Sequence, residues 1–539
     1  MDRRALLASA AAVLAATAGC APSGGDGSAA PSRSSSPSVP PPRSPAPTAV
    51  RSGPAHGGRP GRAPRWRALG EGLDGRLVLP GDADYATARQ LYNTRFDRLR
   101  PAAVAYAEGV EDIRECLRFA RDHGVRVAIR GGGHSYAGWS SGDGRLIIDV
   151  SPLDTVAPDG RDAVDVGAGA RLIGLYRTLD RSGRTVPAGS CASVGVAGLA
   201  LGGGHGVTSR AYGLTCDNLT AATIVTADGA VREVDARREP ELFRALRGAG
   251  NGNFGVVTGL RFRTRPAPEV VTGYLSWPWA RAAAVLAAWQ RWAPELPDEI
   301  WSGCHLGAAP GGSGGVEPTL SVSVLSLGTE GELRNAVDRL ADTAGASASG
   351  VFLRPRTHLD AMLGYAGCAT LGDEQCALPG ATPGRSRAGA LPRETYAAAS
   401  DFYDRVLPGP GVRALITAAE AFTRLPRGRG EAAVQLTALG GAVNRVDPRA
   451  TAFVHRRSRV LAQYTAAWAP GTAGRAEQEW LRRTRTALRP WASGAAYQNY
   501  TDPRLTDWRR AYYGRSAGEL ARLKSRYDPD RVFDFPQAL

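Results

Sequence analysis

Apolar residues at Val110, Ile113, Leu117 and Ala120 recur with the spacing of one helical face, and Asp122-His123-Gly124 ends that pattern just before VRVAIR. A strand is therefore expected there, running directly into Gly131-Gly132-Gly133. Strands recur at LIIDV (146–150) and AVDVGAG (163–169), with a helix across Leu172 to Leu179. IVTADGAVREVD has the pattern of a hairpin around Asp228-Gly229, because a two-residue turn needs positive φ and Asp-Gly supplies it. The helical ELFRALRG then leads into GNGNFGVVTGLRFRTRP, a loop running into a strand, and this first unit ends near Arg265.

Beyond Pro266 the periods lengthen. Helices are expected at RAAAVLAAWQRWA, GELRNAVDRLADTA and RETYAAASDFYDRVL, interleaved with strand-like TLSVSVLSL and AAVQLTALGG. That alternation predicts an α+β unit in which an antiparallel sheet is covered by helices on one face. The last fifty residues, with YQNYTDPRLTDWRRAYYG and RYDPDRVFDF, have a different texture, rich in Tyr and Asp. The expected divisions are 1–20, 21–66, 67–265, 266–490 and 491–539, and no solenoid repeat is visible.

Composition narrows the class. A chain of 539 residues with 43% hydrophobic residues and 67 glycines can bury a large core. The net charge of +15 rests on dispersed arginines, Lys524 being the single lysine, with no basic run interleaved with aromatics, so no nucleic-acid partner is expected. The first twenty residues join Arg3-Arg4 to an apolar stretch too short to span a bilayer, which has the form of an export signal. It ends in small residues and Cys20, leaving two outcomes open: acylation of Cys20 to give a membrane-anchored lipoprotein, or ordinary cleavage and secretion. Thr17 stands where Leu is commoner before such a cysteine. Residues 21–66 are Pro-, Ser- and Gly-rich without apolar periodicity, the composition of a flexible tether. Cys116 lies on an apolar helix face and is expected in the core. Cys368 and Cys376, eight apart in a Gly-rich segment, are either a disulfide or two thiols, and no cysteine or histidine spacing points to a metal.

The candidate chemistry starts from two glycine clusters, Gly131-Gly132-Gly133 and Gly202-Gly203-Gly204-His205-Gly206. Each lets backbone approach a ligand closely, as a long dinucleotide requires at two places, although tight turns alone would also use glycine. A nicotinamide-type fingerprint at Gly167 and Gly169 fails, because Leu172 occupies the third glycine position.

At this point several segments taken together, RGGGHSYAGWSSGDGRLIIDVSPL, PAGSCASVGVAGLALGGGHGVTSRAYGLTCDNL, NFGVVT, YQNYTD, WRRAYYG and YDPDRVF, resemble the berberine bridge enzyme family of flavin oxidases. The resemblance runs in order over roughly residues 80 to 539. It implies a two-part FAD-binding domain of the vanillyl-alcohol-oxidase type plus a substrate domain, with residues 491–539 returning to the FAD domain. It further implies FAD joined to His134 through the 8α-methyl and to Cys191 through C6. Covalent links of this kind hold the ring rigidly and make it a stronger oxidant. The cofactor-binding residues carried over are Arg130, Gly131, Gly132, Gly133, Ser135, Val194, Gly195, Gly198, Gly203, Gly204, His205, Gly206, Gly255, Val256, Val257 and Asn499. His205 matches a noncovalent position with a structural role, and Val194 matches the position that gates O2 access.

For catalysis the resemblance gives Tyr500 the role of base, with Tyr497 and Tyr136 lining the same pocket and Gln435 and Gln463 as polar substrate contacts. An ordinary Tyr has a pKa near 10, so a tyrosinate needs stabilising neighbours. Oligosaccharide oxidases of this type carry an Asp for that purpose where this chain has Thr437. The expected activity is oxidation of an alcohol or sugar hemiacetal with O2 to H2O2. The alternatives are an oxidase of a secondary metabolite and, from a different class, a surface-anchored solute-binding lipoprotein.

Overall fold

The computed structural model describes residues 64–310, 316–425 and 430–539. The export segment, Cys20 and residues 21–63 lie outside the described residues. Trp66, at the end of the expected tether, instead opens the helix Trp66–Glu71 and packs on Phe119 with ring centroids 5.0 Å apart.

The first lobe holds two main sheets, with a two-stranded ladder of Arg184–Thr185 and Arg265–Pro266 beside them. In the smaller, the strands Arg76–Val78, Ala103–Tyr106, Leu146–Asp149 and Val127–Arg130 lie side by side in that order, the last three parallel. The helix Val110–His123 buries Ile113, Cys116 and Leu117 and stops at Gly124, whose φ of 65° is the left-handed turn that glycine adopts without strain. The larger sheet is wholly antiparallel, in the order Val156–Asp159, Ala163–Gly167, Gly255–Arg263, Leu219–Thr226, Val231–Asp235. The strand Ala163–Gly167 thus belongs to an antiparallel sheet, which a nicotinamide-type βαβ unit would not allow. The hairpin turn at Asp228-Gly229 forms as expected, with Val225 facing Val231 and Gly229 at φ 81°.

The second lobe is a seven-stranded antiparallel sheet ordered Gly350–Arg356, Val270–Trp277, Val316–Ser326, Ile300–Pro310, Gly430–Ala438, Val460–Trp468, Tyr396–Tyr403. The helices Ala282–Trp292, Glu330–Ala344, Gly409–Thr423 and Arg475–Leu488 bury their apolar stripes against one face, around Trp289, Leu333, Leu415 and Leu481.

One expected helix is a strand. RETYAAASDFYDRVL forms the edge strand Tyr396–Tyr403, and every residue of it is buried. Ala397, Ala399 and Tyr403 pack under the helices, while Tyr396 and Ala398 meet Tyr92 and Leu378 on the opposite side. The helix preference of alanine is a few tenths of a kcal/mol per residue, roughly. Covering both faces with two different cores outweighs it, since a period of two presents both at once.

The C-terminal residues pack into the first lobe: Trp508, Tyr512, Tyr513 and Phe533 join its core. Lys524 is buried, paired with Asp528 and donating to the carbonyls of Asn253 and Phe533, both at 2.7 Å. Cys368 and Cys376 form a disulfide.

Candidate active site

A cavity of about 330 Å³ opens where the first lobe meets the uncovered side of the seven-stranded sheet. The strand Val127–Arg130 delivers Gly131, Gly132, Gly133 and His134 to its wall. This loop sits against a second one: a Cβ on Gly132 would lie 2.2 Å from the Gly195 nitrogen, so only glycine permits the approach. Cys191, Val194, Gly195 and Gly198 line the cavity from that second loop and the helix Val196–Leu201. His134 and Cys191, fifty-seven residues apart in sequence, therefore border one space.

Further walls come from His205 and Gly206, from Gly255 and Val257 at the start of a sheet strand, and from Tyr497, Asn499 and Tyr500 of the C-terminal segment. Ser135 and Tyr136 also line it, and Tyr396, Trp301 and Thr437 close it from the sheet. Several proposed contacts sit elsewhere. Arg130 is buried in an ion pair with Asp149 rather than at this wall, and Val256 faces the sheet core. Gly203 and Gly204 lie behind the surface, the Gly204 N–H donating to the Tyr497 hydroxyl at 2.8 Å. Gln435 and Gln463 face each other across neighbouring strands on the side of the sheet away from the helices, the side from which Thr437 lines the cavity, and Gln463 donates to the Tyr136 hydroxyl at 2.9 Å. Val256 turns away from the cavity that Gly255 and Val257 line because successive residues of a strand face opposite sides.

The polar groups at the wall are tied together. His134 Nε2 lies 2.9 Å from Ser193 Oγ, and its ring stacks on Tyr92 at 4.0 Å between centroids. Burial, with Arg171 adding to it, pushes the His134 imidazole down to about 3, so it is neutral. The Tyr500 hydroxyl lies 2.6 Å from His205 Nε2, and the Tyr500 ring stacks on Tyr136 at 5.3 Å. Burial lowers His205 to about 4 and pushes the Tyr500 phenol well above its ordinary value, with Tyr136 and Tyr497 adding to the latter. His205, expected to be structural, is thus the direct partner of Tyr500. Asn499 donates to the Tyr497 hydroxyl and to the Leu199 carbonyl, both at 2.9 Å.

Tyr92, Tyr396 and Trp301 are wall residues that the motifs did not indicate. Nothing in their local sequence distinguishes them from core aromatics. Asn251 and Gln498 were within reach, lying inside GNGNFG and YQNY.

The cavity suits a long dinucleotide. Ser140 Oγ, Asn251 Oδ1, Gln498 Oε1 and Gln537 Oε1 are buried at its wall with no protein partner, which is the complement a polar ligand would satisfy. The glycine loop clamped by Gly195 leaves backbone bare for phosphate, and the aromatic wall formed by Tyr136, Tyr500 and Trp301 suits a flat ring. Fold and site together define an FAD-binding flavoprotein of the vanillyl-alcohol-oxidase type. The profile of the FAD binding domain family matches residues 101–235, and that of the berberine and berberine-like family matches residues 496–539. An FAD-linked oxidoreductase of Bacillus subtilis, YgaK, described as uncharacterized, is 33% identical over 478 residues, which cover 87% of this chain and 97% of its own. A carbohydrate oxidase of Microdochium nivale is 28% identical over 485 residues, 86% of this chain and 92% of its own. Among solved structures, BBE-like 1 of Physcomitrella patens aligns with a TM-score of 0.78 at 29% identity, covering 88% of this chain and 98% of that one. The chain belongs to the berberine bridge enzyme-like family of FAD-linked oxidoreductases.

Proposed function

We propose that the protein is an exported oxidase that holds FAD at His134 and Cys191 and oxidises an alcohol or a sugar hemiacetal. Bound FAD would supply a two-electron acceptor for the alcohol carbon, with O2 as the final acceptor and H2O2 as its product. The observation that carries this reading is the contact between Tyr500 and His205 at the cavity wall. Tyr500 stays a phenol at rest and would hand its proton to the neutral His205 imidazole only as its oxygen takes the substrate O–H proton, a relay that needs no free tyrosinate. That arrangement replaces the carboxylate missing at Thr437, which lines the same cavity. Tyr136 holds the Tyr500 ring by stacking and is itself held by Gln463. The carbohydrate oxidase of Microdochium nivale supports a sugar as the substrate class.

Two features support attachment at His134. Its imidazole is neutral and so retains a nucleophilic lone pair, and Ser193 engages Nε2, leaving Nδ1 for a bond. Cys191 borders the same space. Residues 1–20, with Arg3-Arg4 and Cys20, support export by a route for folded cargo, either lipid-anchored or released, which suits a protein loaded with cofactor before it leaves the cell.

Anaerobic mixing with mono- and oligosaccharides should bleach the flavin spectrum, and readmitted O2 should return one peroxide per flavin. No bleaching across broad sugar panels would sink the sugar reading, while bleaching by polyphenols alone would transfer it to secondary metabolites. Acid precipitation followed by peptide mass analysis tests attachment: flavin must remain on the peptides bearing His134 and Cys191. Fractionation of the producing cells tests export, since the full chain confined to the cytoplasm would refute it.

A further inference from the structure

A second, smaller cavity of about 30 Å³ shares Gly131, Gly132 and Gly133 with the first and lies among three arginines, Arg130, Arg171 and Arg385. The only carboxylate at its wall is Asp149. That group is already committed, pairing with Arg130 and accepting the Ser151 N–H at 2.8 Å. Two guanidinium charges are left without a counter-charge in the wall. Arg171 donates to the Gly169 carbonyl at 2.7 Å and to Ser151 Oγ at 2.9 Å, and Arg385 donates to the Pro379 carbonyl at 2.9 Å. These neutral acceptors orient the two side chains without neutralising them.

Two further observations point to a ligand. Arg130, 4% exposed, has its Nη1 buried without a close acceptor among the described residues, and the polar group beside it at this wall is the Tyr106 hydroxyl, which burial keeps neutral. The second is the covering loop: Gly384, at φ 76°, passes so close that a Cβ there would lie 2.1 Å from Arg171 Nη2, so glycine is what allows Arg171 to stand at the cavity. The crowding of like charges is felt by Arg385, which is pushed down to about 10 by burial and then by Arg393, Arg130 and Arg171.

We propose that this cavity is a binding site for a monovalent inorganic anion of halide size, held by Arg130, Arg171 and Arg385 behind the glycine loop that carries His134. A single water would satisfy Arg130 Nη1 but leave both charges uncompensated, which a buried site resists. The space admits a small ion, and a halide supplies the missing charge. The anion thereby becomes a structural ligand of the flavin-side loop.

The test uses the flavin-loaded protein. Replacing gluconate by chloride at constant ionic strength should raise Tm saturably, by about 3 °C at a hundredfold excess over Kd. Bromide soaked into crystals should give an anomalous peak bounded by the three guanidinium groups. Arg385→Gln should abolish the chloride response and Arg385→Lys should retain it. Gly384→Ala, which displaces Arg171, should weaken it and serves if Arg385→Gln does not fold. Equal chloride responses in wild type and these variants, no response in wild type, or no bromide in this cavity would each overturn the proposal.

Discussion

Replacing Tyr500 by Phe removes one hydroxyl and leaves the rest of the wall in place. The ring still stacks on Tyr136 at 5.3 Å and meets Tyr497 edge-on at 5.0 Å, so the aromatic wall keeps its shape. What is lost is the contact 2.6 Å from His205 Nε2. An unsatisfied buried acceptor costs ~1–3 kcal/mol, so Tm falls by a few degrees while flavin content is unchanged. Loss of a positioned proton acceptor is worth about 10²–10⁴ in rate, or roughly 3–5 kcal/mol of barrier. The assay is anaerobic stopped-flow reduction of the flavin by whichever sugar or alcohol bleaches it. His205→Phe should lower the rate similarly, and the double variant should be little worse than either single one, because the two groups act as one unit. The pH profile carries its own sign. His205 titrates near 4 and accepts only when neutral, so the wild-type rate falls as pH drops through about 4 and shows no ionisation of Tyr500 around neutrality. A Tyr500→Phe rate within about threefold of wild type would refute the assignment of proton transfer to this pair.

Stability should also fall in acid. Burial lowers His205, His305 and His358 to about 4 and His455 to about 3, so between their ordinary value and these the unfolded chain binds protons that the folded one does not. Stability is therefore full above about pH 6.5 and lost as pH falls toward 4, by about 5 kcal/mol per pH unit if all four act, measurable by denaturant titration at pH 7, 6 and 5; a flat profile would contradict their burial as neutral groups. Gly132→Ala should abolish flavin incorporation, because its Cβ would press on the Gly195 backbone at 2.2 Å, and a fully coloured variant would show that the two loops can part. Cys368→Ser opens the eight-residue loop and should lower stability by ~2.5 kcal/mol under non-reducing conditions, with one newly titratable thiol at Cys376; an unchanged denaturation midpoint would argue against the bridge.

The parts of this protein legible in its sequence are those where local chemistry and backbone agree. The helix ending at Gly124, the Asp228-Gly229 hairpin and the glycine loop before His134 each need a residue type that few conformations accept, so the type announces the conformation. The ordered motifs also carried the family and its FAD, because residues 101–235 and 496–539 match separately. The strand-like pattern of AAVQLTALGG was legible as well, although not that Thr437 meets the cavity.

Tertiary structure decided the rest. The segment RETYAAASDFYDRVL is a strand because two cores cover it, a fact absent from its own alanines. Arg130 pairs with Asp149, nineteen residues away in sequence, because a buried cation needs a buried anion beside it. His205 met Tyr500 across 295 residues of sequence, a contact that no local pattern announces. Sequence by itself determined the loops, the cofactor class and the candidate groups, since these depend on residue type and close neighbours. Which groups share a proton or a charge was settled by burial across the chain, because burial alone removes the water that would otherwise screen each from the other.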